Sequence, residues 1–489
     1  MNLFECISNI QSMKTIRSQV KSGPDGVSLH GKDALQLLPQ KLRKKLMPFQ
    51  REGVLFALSR DGRCMIAEEV RTIQAISVVY IFKQEWPLLI VVPSSLKYPW
   101  IEELGKWIPE LDPRDINLVE SKTNTMSIGT SNVTILGYGL LTMDARPLLE
   151  ALNKQRFGVI LVDESHYLKS RNAARSKILV PIIQNAKRAI LLTGTPALGR
   201  PEELFMQIDA FEMSVFLCRF FGARRQWDCH GASHLHELHQ RLSEIMIRRL
   251  KNQVLTQLPP KIRQRIPFDL PKDAAKVCCE RFQAASQIVF VEVMSLITHM
   301  YKQTAVAKAG AVKDYMKMML ETEQLKFLVF AHHLSMLQAC TKAVIEVKAS
   351  YIRIDGSVPS AAGQGLTFTA VSHVVFAELY WNPGHIKQVE DRAHRIGQTT
   401  IVHIHYLIAK GTFDNVMWAM LNRKETVTGS ALNEKKEYLK AEVGDQEKLD
   451  FLNFVQAWTP SDTMKDDSED DKDGTFFSHV HKHFIIAIN

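Results

Sequence analysis

The sequence predicts an α/β protein in which parallel sheets are flanked by helices. Short apolar runs, rich in β-branched and leucine side chains and followed by turn-forming or polar residues, recur in the first half of the chain at 64–67, 88–92, 133–136, 159–162 and 189–192. Continuous apolar runs of this length are typical of strands that are buried on both faces. Amphipathic segments separate the runs, so strands and helices alternate along the chain.

A second β/α series predicts a second lobe. The alternation of predicted strands and helices stops at 211–271, a stretch rich in Arg, His and Trp that ends in a proline-rich connector. Apolar runs resume at 327–330, 351–354, 374–377 and 402–406. A helical stretch at 288–320 precedes these runs. The predicted organisation is an N-terminal extension (1–36), a first lobe (37–210), an insertion and linker (211–271), a second lobe (272–427) and a charged helical segment with an acidic tail (428–489).

Composition excludes several classes of protein. The chain has 489 residues, 46% hydrophobic and 23% charged, which excludes disorder throughout its length. No run reaches the roughly 18 apolar residues of a membrane helix, so no membrane partner is expected. The seven cysteines are scattered without a C-x-x-C pair, which argues against a disulfide framework and a zinc module. The net charge of +9 is compatible with a polyanionic partner.

An acidic motif follows one predicted strand directly. Asp163-Glu164-Ser165-His166 comes after the run at 159–162. Ligands of open α/β sheets bind at the carboxyl ends of strands, where one carboxylate could hold Mg²⁺ through water and the other could orient an attacking water. A helix N-cap is the alternative interpretation of the same pair.

Three further features could contribute to a site together with the acidic motif. Thr193-Gly194-Thr195-Pro196 follows the next apolar run and is either a turn or an element that couples the acidic site to another surface. Arg392 and Arg395 stand three residues apart, so on a continuous helix they would share a face and could reach a γ-phosphate held by the other lobe. An exposed, ion-paired helix face is the alternative. Gly365 belongs to a glycine-rich turn that suits close approach of a phosphate chain.

These motifs together resemble those of the Swi/Snf-type helicase-like ATPases. The matching segments lie in the family's order at 46–51, 91–95, 163–166, 192–196, 330–333, 354–357 and 390–398. Asp-Glu-Ser-His at 163–166 and Phe-Ala-His-His at 330–333 resemble the DNA annealing helicase branch. The resemblance covers about 37–460. It implies two RecA-like lobes of a superfamily 2 helicase-like engine that binds ATP and Mg²⁺ between the lobes and duplex, forked or partly single-stranded DNA across both.

The resemblance also implies roles for single residues. Members of this branch rewind unpaired strands and remodel stalled replication forks, so a nuclear protein of DNA repair with replication-fork partners is expected. The implied assignments are adenine reading by Gln50, Mg²⁺ contact by Thr72 and, through water, by Asp163, catalysis by Asp163, Glu164, Arg392 and Arg395, and coupling to DNA by Ser165, His166, Thr193, Gly194, Thr195 and Gly365.

The sequence departs from the family pattern in three places. The family's Gly-x-Gly-Lys core before Thr72 is absent, and only Arg71 could supply positive charge there. A helix and a central strand are missing between 354–357 and 363–365, which would leave two unpaired ladders unless the sheet pairs in another way. The insertion near 211–222 is shortened. Beyond 427 we expect neither zinc-finger cysteines nor a nuclease domain.

The function therefore has two candidate forms. The first is a DNA-dependent ATPase that rewinds DNA. The second is a catalytically inactive relative that binds DNA or a partner protein through basic surfaces at 248–251 and 263–265, and the missing phosphate loop favours it. A nucleosome remodeller is a third interpretation, weaker because no histone-reading module is visible in the sequence.

Overall fold

The computed structural model describes residues 32–123, 125–199, 201–211, 235–270, 293–321, 325–354, 368–433 and 484–488. These residues form two sheets flanked by helices, which confirms the predicted α/β class. Among the described helices, none is both long and apolar enough to cross a membrane. We call the first sheet with its covering helices the first lobe, and the second sheet with its helices the second lobe.

The first sheet is parallel throughout its described pairings. Its strands are β1 (Arg63–Ile66), β2 (Leu88–Val92), β3 (Ile116–Val119), β4 (Val133–Gly137), β5 (Val159–Val162), β6 (Arg188–Leu192) and β7 (Met246–Ile247), in the order β3-β4-β2-β5-β6-β1-β7. Each apolar run that predicted a strand here is a strand. β3 and β7 were not predicted, because β3 has a polar Asn117 and β7 has only two residues.

Helices cover both faces of the first sheet. They are α1 (Gln40–Lys45), α2 (Pro48–Ser59), α3 (Thr72–Ile81), α4 (Lys97–Trp107), α5 (Arg146–Lys154), α6 (Ala174–Asn185), α7 (Phe205–Asp209) and α8 (Leu235–Ile245). Alternate residues of β2 belong to different cores: Leu89 and Val91 pack with α5 and α6, and Ile90 packs with α2 and α3. Burial on both faces explains why the strands read as unbroken apolar runs.

Pro48 separates the first two helices of the first lobe. α1 ends at Lys45, and α2 begins at Pro48 itself. The residue before a proline is driven into extended backbone, and Met47 has φ −69° and ψ 159°. Proline suits the first helical turn because its missing N–H would have no helical partner there. The break thus fixes Gln50 within the first turn of α2.

The second sheet contains one antiparallel strand. Its strands are β8 (Lys261–Phe268), β9 (Phe327–Phe330), β10 (Ser350–Ile354), β11 (His373–Phe376), β12 (Val402–Ala409) and β13 (Phe484–Ile488), in the order β10-β13-β9-β11-β12-β8. β9, β11, β12 and β8 pair in parallel. The segment 211–271, interpreted from sequence as a linker, thus supplies β7 to the first sheet and β8 to the second.

β13 fills the position where the sequence lacks a central strand. It lies between β10 and β9 and runs antiparallel to both, with Ile486 in register with Ile352 on one side and Leu328 on the other. The two ladders expected to be unpaired are therefore paired with the end of the chain. The sequence alone left this segment unassigned, because a short apolar run far from the other strands does not reveal its partners.

The helices of the second lobe complete its two cores. They are α10 (Val293–Glu321), α11 (Leu334–Glu346), α12 (Pro383–Ala393) and α13 (Phe413–Asn433), and a short helix, α9 (Lys251–Val254), lies in the connection between the lobes. One face of the sheet packs on α10 and α11, the other on α12 and α13. The end of α13 also contributes Ala431 and Leu432 to the core of the first lobe.

Candidate ATP-binding site and lobe interface

The acidic motif lies at the carboxyl edge of the first sheet, as predicted. Asp163 follows β5, and its backbone N–H donates to Val91 O at 2.8 Å. Glu164 has φ 50°, in the left-handed region, and its N–H donates to Asp163 Oδ1 at 2.8 Å. A non-glycine residue at positive φ is strained, and such strain is concentrated at functional sites. The strained turn brings the two carboxylates together.

A buried arginine lies between these carboxylates. Arg71 Nη2 is 3.0 Å from Asp163 Oδ1 and 2.8 Å from Glu164 Oε1, and Nη1 donates to Glu68 O at 3.1 Å. Burial lowers the pKa of Arg71, but the charges of Glu164 and Asp163 outweigh this effect and raise the pKa above its usual value. The guanidinium therefore stays charged and forms charge-assisted bonds with both acids.

The pKa values of the two carboxylates are shifted in opposite directions. Burial raises the pKa of Asp163, and the charge of Glu164 adds to this effect against the opposing charge of Arg71. Burial also favours a higher pKa for Glu164, but the interactions with Arg71 and His166 outweigh the effect of burial. They hold the pKa of Glu164 below its usual range. Trp100 Nε1 donates to Asp163 Oδ2 at 2.9 Å. Glu164 is thus the principal negative partner of Arg71.

The connection between β1 and α3 lacks a phosphate cradle. It reads Ala-Glu-Glu-Val-Arg at 67–71, without glycine, and Glu68 accepts from Gln74 Nε2 at 2.8 Å and Arg249 Nε at 2.5 Å. A triphosphate requires converging backbone N–H groups and a compact ammonium. Here the carboxylates are bonded to Arg71, and the connection adds negative charge. The residues present therefore do not fit ATP with Mg²⁺, although Thr72 still begins α3.

Gln50, the predicted adenine reader, is buried and bonded to backbone at both ends of its amide. Oε1 accepts from Met47 N at 3.0 Å, and Nε2 donates to Val70 O at 3.2 Å. These bonds tie α2 to the β1–α3 connection. Adenine reading stays a prediction.

The acidic motif is joined to the Thr-Gly-Thr-Pro segment by hydrogen bonds. His166 Nδ1 lies 3.2 Å from Thr193 Oγ1 and 3.4 Å from Glu164 Oε2. Ser165 Oγ donates to Gln207 Oε1 at 2.7 Å, and Gln207 Nε2 donates to Pro196 O at 2.7 Å. Gly194 packs against Arg71, since a Cβ there would meet Nη1 at 3.4 Å. The predicted coupling residues thus lie together, and their role in coupling stays a prediction.

The arginine pair of the second lobe faces the acidic site, but not as one helical face. α12 ends at Ala393, where Gln398 Nε2 donates to Ala393 O at 3.2 Å, and Gly397 turns the chain at φ 102°. A helix continuous through Arg395, the condition for a shared face, is therefore not met, and the catalytic roles of Arg392 and Arg395 stay predictions. Burial and the charge of Arg395 lower the pKa of Arg392 to about 10, while Glu164 acts in the opposite direction. Both arginines are thus electrostatically coupled to the first lobe.

Lys251 links the two lobes. Its Nζ forms ion pairs with Glu69 of the β1–α3 connection and with Asp391 of α12, the latter at 3.1 Å. It also donates to His394 O at 2.8 Å. Lys251 and His394 are buried, while Glu69 and Asp391 are half-buried. One ammonium therefore contacts a carboxylate from each lobe.

Direct contacts between the lobes lie beside Lys251. Gln388 Nε2 on α12 donates to Thr195 Oγ1 at 2.8 Å, and Gly384 N donates to Leu198 O at 3.0 Å. A Cβ on Gly384 would lie 2.9 Å from Leu198 Cα, so only glycine allows this approach. The Thr-Gly-Thr-Pro segment therefore contacts both the acidic motif and the second lobe.

The basic segments expected to bind DNA or a partner are engaged within the chain. Arg249 pairs with Glu68 at 2.5 Å, and Arg248 Nη1 donates to Gly194 O at 3.2 Å. Arg263 Nη2 lies 2.6 Å from Glu390 Oε2. Binding of DNA or a partner through the basic surfaces at 248–251 and 263–265 stays a prediction. Arg249 and Arg263 pair with acidic residues distant in sequence, and the sequence did not show those pairings.

Two features predicted from the sequence, Gly365 and the acidic tail, lie outside the described residues.

Three residues that contact the site were not predicted from the sequence: Trp100, Tyr138 and Gln207. Tyr138 OH donates to Asp163 O at 2.8 Å. Residues of these types are also common in protein cores, so only their contacts with the site distinguish them from ordinary core residues. Lys251 did carry a signal, because it ends a basic run.

Comparison with protein families matches both lobes. Residues 49–329 match the SNF2-related domain, and residues 359–397 match the helicase conserved C-terminal domain. A low-similarity solved structure, the Sulfolobus solfataricus SWI2/SNF2 ATPase core in complex with dsDNA, has 19% identity and a TM-score of 0.37, with 79% of this chain and 94% of that chain covered.

Curated relatives match most of this chain. The DNA annealing helicase and endonuclease ZRANB3 of Bos taurus and of Homo sapiens is 61% identical over 92% of this chain and 46% of the relative. The SWI/SNF-related matrix-associated actin-dependent regulator of chromatin subfamily A-like protein 1 of Xenopus laevis is 39% identical over 81% of this chain and 45% of the relative. The chain thus spans about half the length of these relatives.

The resemblance seen in the sequence is confirmed. The SNF2-related model covers more than half of the chain, and the matching motifs at 91–95, 163–166 and 192–196 follow strands of the first sheet at its carboxyl edge. The chain belongs to the SNF2-related family.

Proposed function

We propose that this chain acts on DNA in strand annealing and in the remodelling of replication forks. Its similarity to ZRANB3, whose name describes a DNA annealing helicase, supports this function. The structural observation that carries the proposal is the contact of Thr195 with Gln388 at 2.8 Å, because it joins the segment that touches the acidic motif to the helix that bears Arg392. Two lobes coupled in this way can act on a duplex as one unit.

The proposed substrate is duplex DNA with forked or partly single-stranded regions. The net charge of +9 favours association with phosphates, and phosphate contacts supply most of sequence-independent affinity. In this proposal the DNA lies across both lobes, and the site of action is the nucleus with replication-fork proteins as partners. The ATP-driven form of the proposal requires ATP and Mg²⁺ to bind between the lobes, although the connection at 67–71 lacks a phosphate cradle. Kinship with the SNF2-related family supports the use of ATP.

A second candidate is favoured by Arg71. In this form the chain binds DNA or a partner protein without hydrolysing ATP. Arg71 occupies the space between Asp163 and Glu164 at 3.0 and 2.8 Å, and the connection before Thr72 lacks glycine. The lobes contact each other through Lys251, which pairs with Glu69 and Asp391. This candidate retains the DNA-binding architecture but not the chemical step.

Forked-DNA-stimulated ATP hydrolysis and strand annealing distinguish the two candidates. Both activities are measured for the unmodified chain and for a variant in which Gly-Leu-Gly-Lys replaces residues 70–71 before Thr72. Each is compared with its Glu164→Gln form, which removes the charge expected to orient water. DNA binding is measured in parallel as a control for folding.

Each outcome selects one candidate. ATP turnover by the unmodified chain that Glu164→Gln abolishes supports the ATP-driven engine and eliminates the second candidate. DNA binding with turnover only in the rebuilt variant supports the non-hydrolysing form. Failure of the folded chain to bind forked DNA in either version contradicts both.

A further inference from the structure

Three histidines lie together on the second sheet, far from the edge that carries the motifs. His373 begins β11, and His403 is its register partner on β12. His405 is two residues further along β12 and therefore shares a face with His403. These positions are at the amino ends of parallel strands, whereas the motif residues follow the carboxyl ends. The cluster is thus separate from the candidate ATP-binding site.

The three imidazoles are close enough to share one ion. One ligand nitrogen from each ring lies within 4.8 Å of the other two. The rings of His373 and His403 stack with centroids 4.9 Å apart, and the ring of His405 lies edge-on to His373 at 5.5 Å. His405 is buried, while His373 and His403 are half-buried. Solvent therefore reaches the cluster from one side, which gives an ion an entry path.

Neighbouring hydroxyl groups orient two of the rings. Tyr315 OH on α10 lies 2.7 Å from His405 Nδ1, and Ser372 Oγ lies 2.9 Å from His373 Nδ1. Histidines that bind metals through one nitrogen commonly use the other for a hydrogen bond, which fixes the tautomer and the ring orientation. Binding through Nε2 would leave both of these bonds intact.

The surroundings set this cluster apart from an ordinary polar surface. The same face of the sheet continues as an apolar layer that includes Val329, Val375 and Leu407 and packs against α10 and α11. Burial and the neighbouring His403 lower the pKa of His405.

We propose that His373, His403 and His405 form a binding site for one divalent transition-metal ion of the Zn²⁺ class. Imidazole nitrogens suit Zn²⁺, Co²⁺, Ni²⁺ and Cu²⁺, whereas Mg²⁺ prefers oxygen ligands. Zn–N distances of about 2.0–2.1 Å in a tetrahedral site place ligand nitrogens roughly 3.3 Å apart. The three nitrogens therefore move closer on binding, and the stacked rings rotate about χ2 toward the ion. A water molecule completes the coordination.

The bound ion links three elements of the second lobe. His373 and His403 connect β11 to β12, and the Tyr315 contact with His405 extends the link to α10. An ion that binds the folded chain in preference to the unfolded chain stabilises it by mass action. This site could not be predicted from the sequence, because the ligands are histidines spread over two strands rather than a cysteine pattern.

Metal titration of the full chain tests the proposal. The chain is treated with a chelator, dialysed, and titrated with Co²⁺, whose visible absorption reports four-coordinate nitrogen ligation, and with Zn²⁺ by calorimetry. We expect one equivalent of each ion to bind and the thermal midpoint to rise, with no such effect from Mg²⁺. His403→Ala should abolish the one-equivalent transition, and Tyr315→Phe should weaken it by roughly 10–100-fold.

Control variants separate the site from adventitious binding. His236 on α8 is exposed, so His236→Ala should leave the titration unchanged. The circular dichroism spectrum of each variant verifies folding, and His403→Asn provides a second ligand change of similar size. Unchanged one-equivalent binding in both folded His403 variants overturns the proposal, as does absence of saturable Co²⁺ binding to the unmodified chain.

Discussion

Arg71 and Glu164 form a buried ion pair with 2.8 Å between Nη2 and Oε1. The acidic motif of the first lobe therefore has a cation supplied by its own chain. The second lobe approaches the same edge through Lys251, which pairs with Glu69 of the first lobe and Asp391 of the second.

Replacing Arg71 should destabilise the first lobe. Removal of one partner from a buried pair leaves uncompensated charge and typically costs about 3–5 kcal/mol. We expect Arg71→Met to lower the free energy of unfolding in urea by about this amount, and Glu164→Gln in the same chain to restore part of the loss. Arg114, which pairs with Asp112 on the surface, is the matched control, and Arg114→Met should change little. Equal stability of Arg71→Met and the unmodified chain would contradict the expectation.

The stability of the second lobe should fall in acid because of Glu390. Burial raises its pKa, but the charges of Lys261 and Arg263 outweigh this and lower the pKa to about 2 from the ordinary value of 4.5. A lowered folded-state pKa contributes stability above the unfolded-state pKa, and this contribution is lost as the pH falls toward the folded-state pKa. The loss should therefore occur between about pH 4.5 and pH 2.

The measurement is urea unfolding as a function of pH. Glu390→Gln should lower the stability at neutral pH, since Arg263 and Lys261 lose their buried partner, and should reduce the dependence on pH over the acid range. Glu102, which is exposed on α4, provides the control, and Glu102→Gln should keep the unmodified profile. An unchanged pH dependence in Glu390→Gln would show that other groups control the acid transition.

Removal of β13 should unfold part of the second sheet. Without it, β9 and β10 lose their partners along adjacent edges, and unpaired ladders favour opening or aggregation. A chain that ends at His483 should lose amide-exchange protection in both strands, while β2 and β5 of the first lobe retain theirs. A synthetic peptide with the sequence 484–489 should restore protection. Full protection of β9 and β10 in the truncated chain would mean that β13 is dispensable.

Local signals determined most of what the sequence predicted correctly. Strands such as 88–92 and 327–330 are apolar throughout because both faces are buried, so residue type alone located them. The motif order likewise placed Asp163 and Thr193 at one edge. β13 and the pairs of Arg71 and Lys251 could not be predicted, because they depend on contacts between distant segments. The missing phosphate loop was visible in sequence, but its replacement by Arg71 was visible only in three dimensions.

Lys251 should control the separation of the lobes. Its ammonium pairs with Glu69 in one lobe and Asp391 in the other, so Lys251→Met removes the cation that bridges the lobes, while Asp391 keeps its pair with Lys261 at 3.1 Å. We expect the radius of gyration from small-angle X-ray scattering to increase. Lys313, which pairs with Glu346 within the second lobe at 2.6 Å, is the matched control, and Lys313→Met should scatter like the unmodified chain. If the Lys251 variant keeps the parental radius, the direct contacts of Thr195 with Gln388 suffice to hold the lobes together.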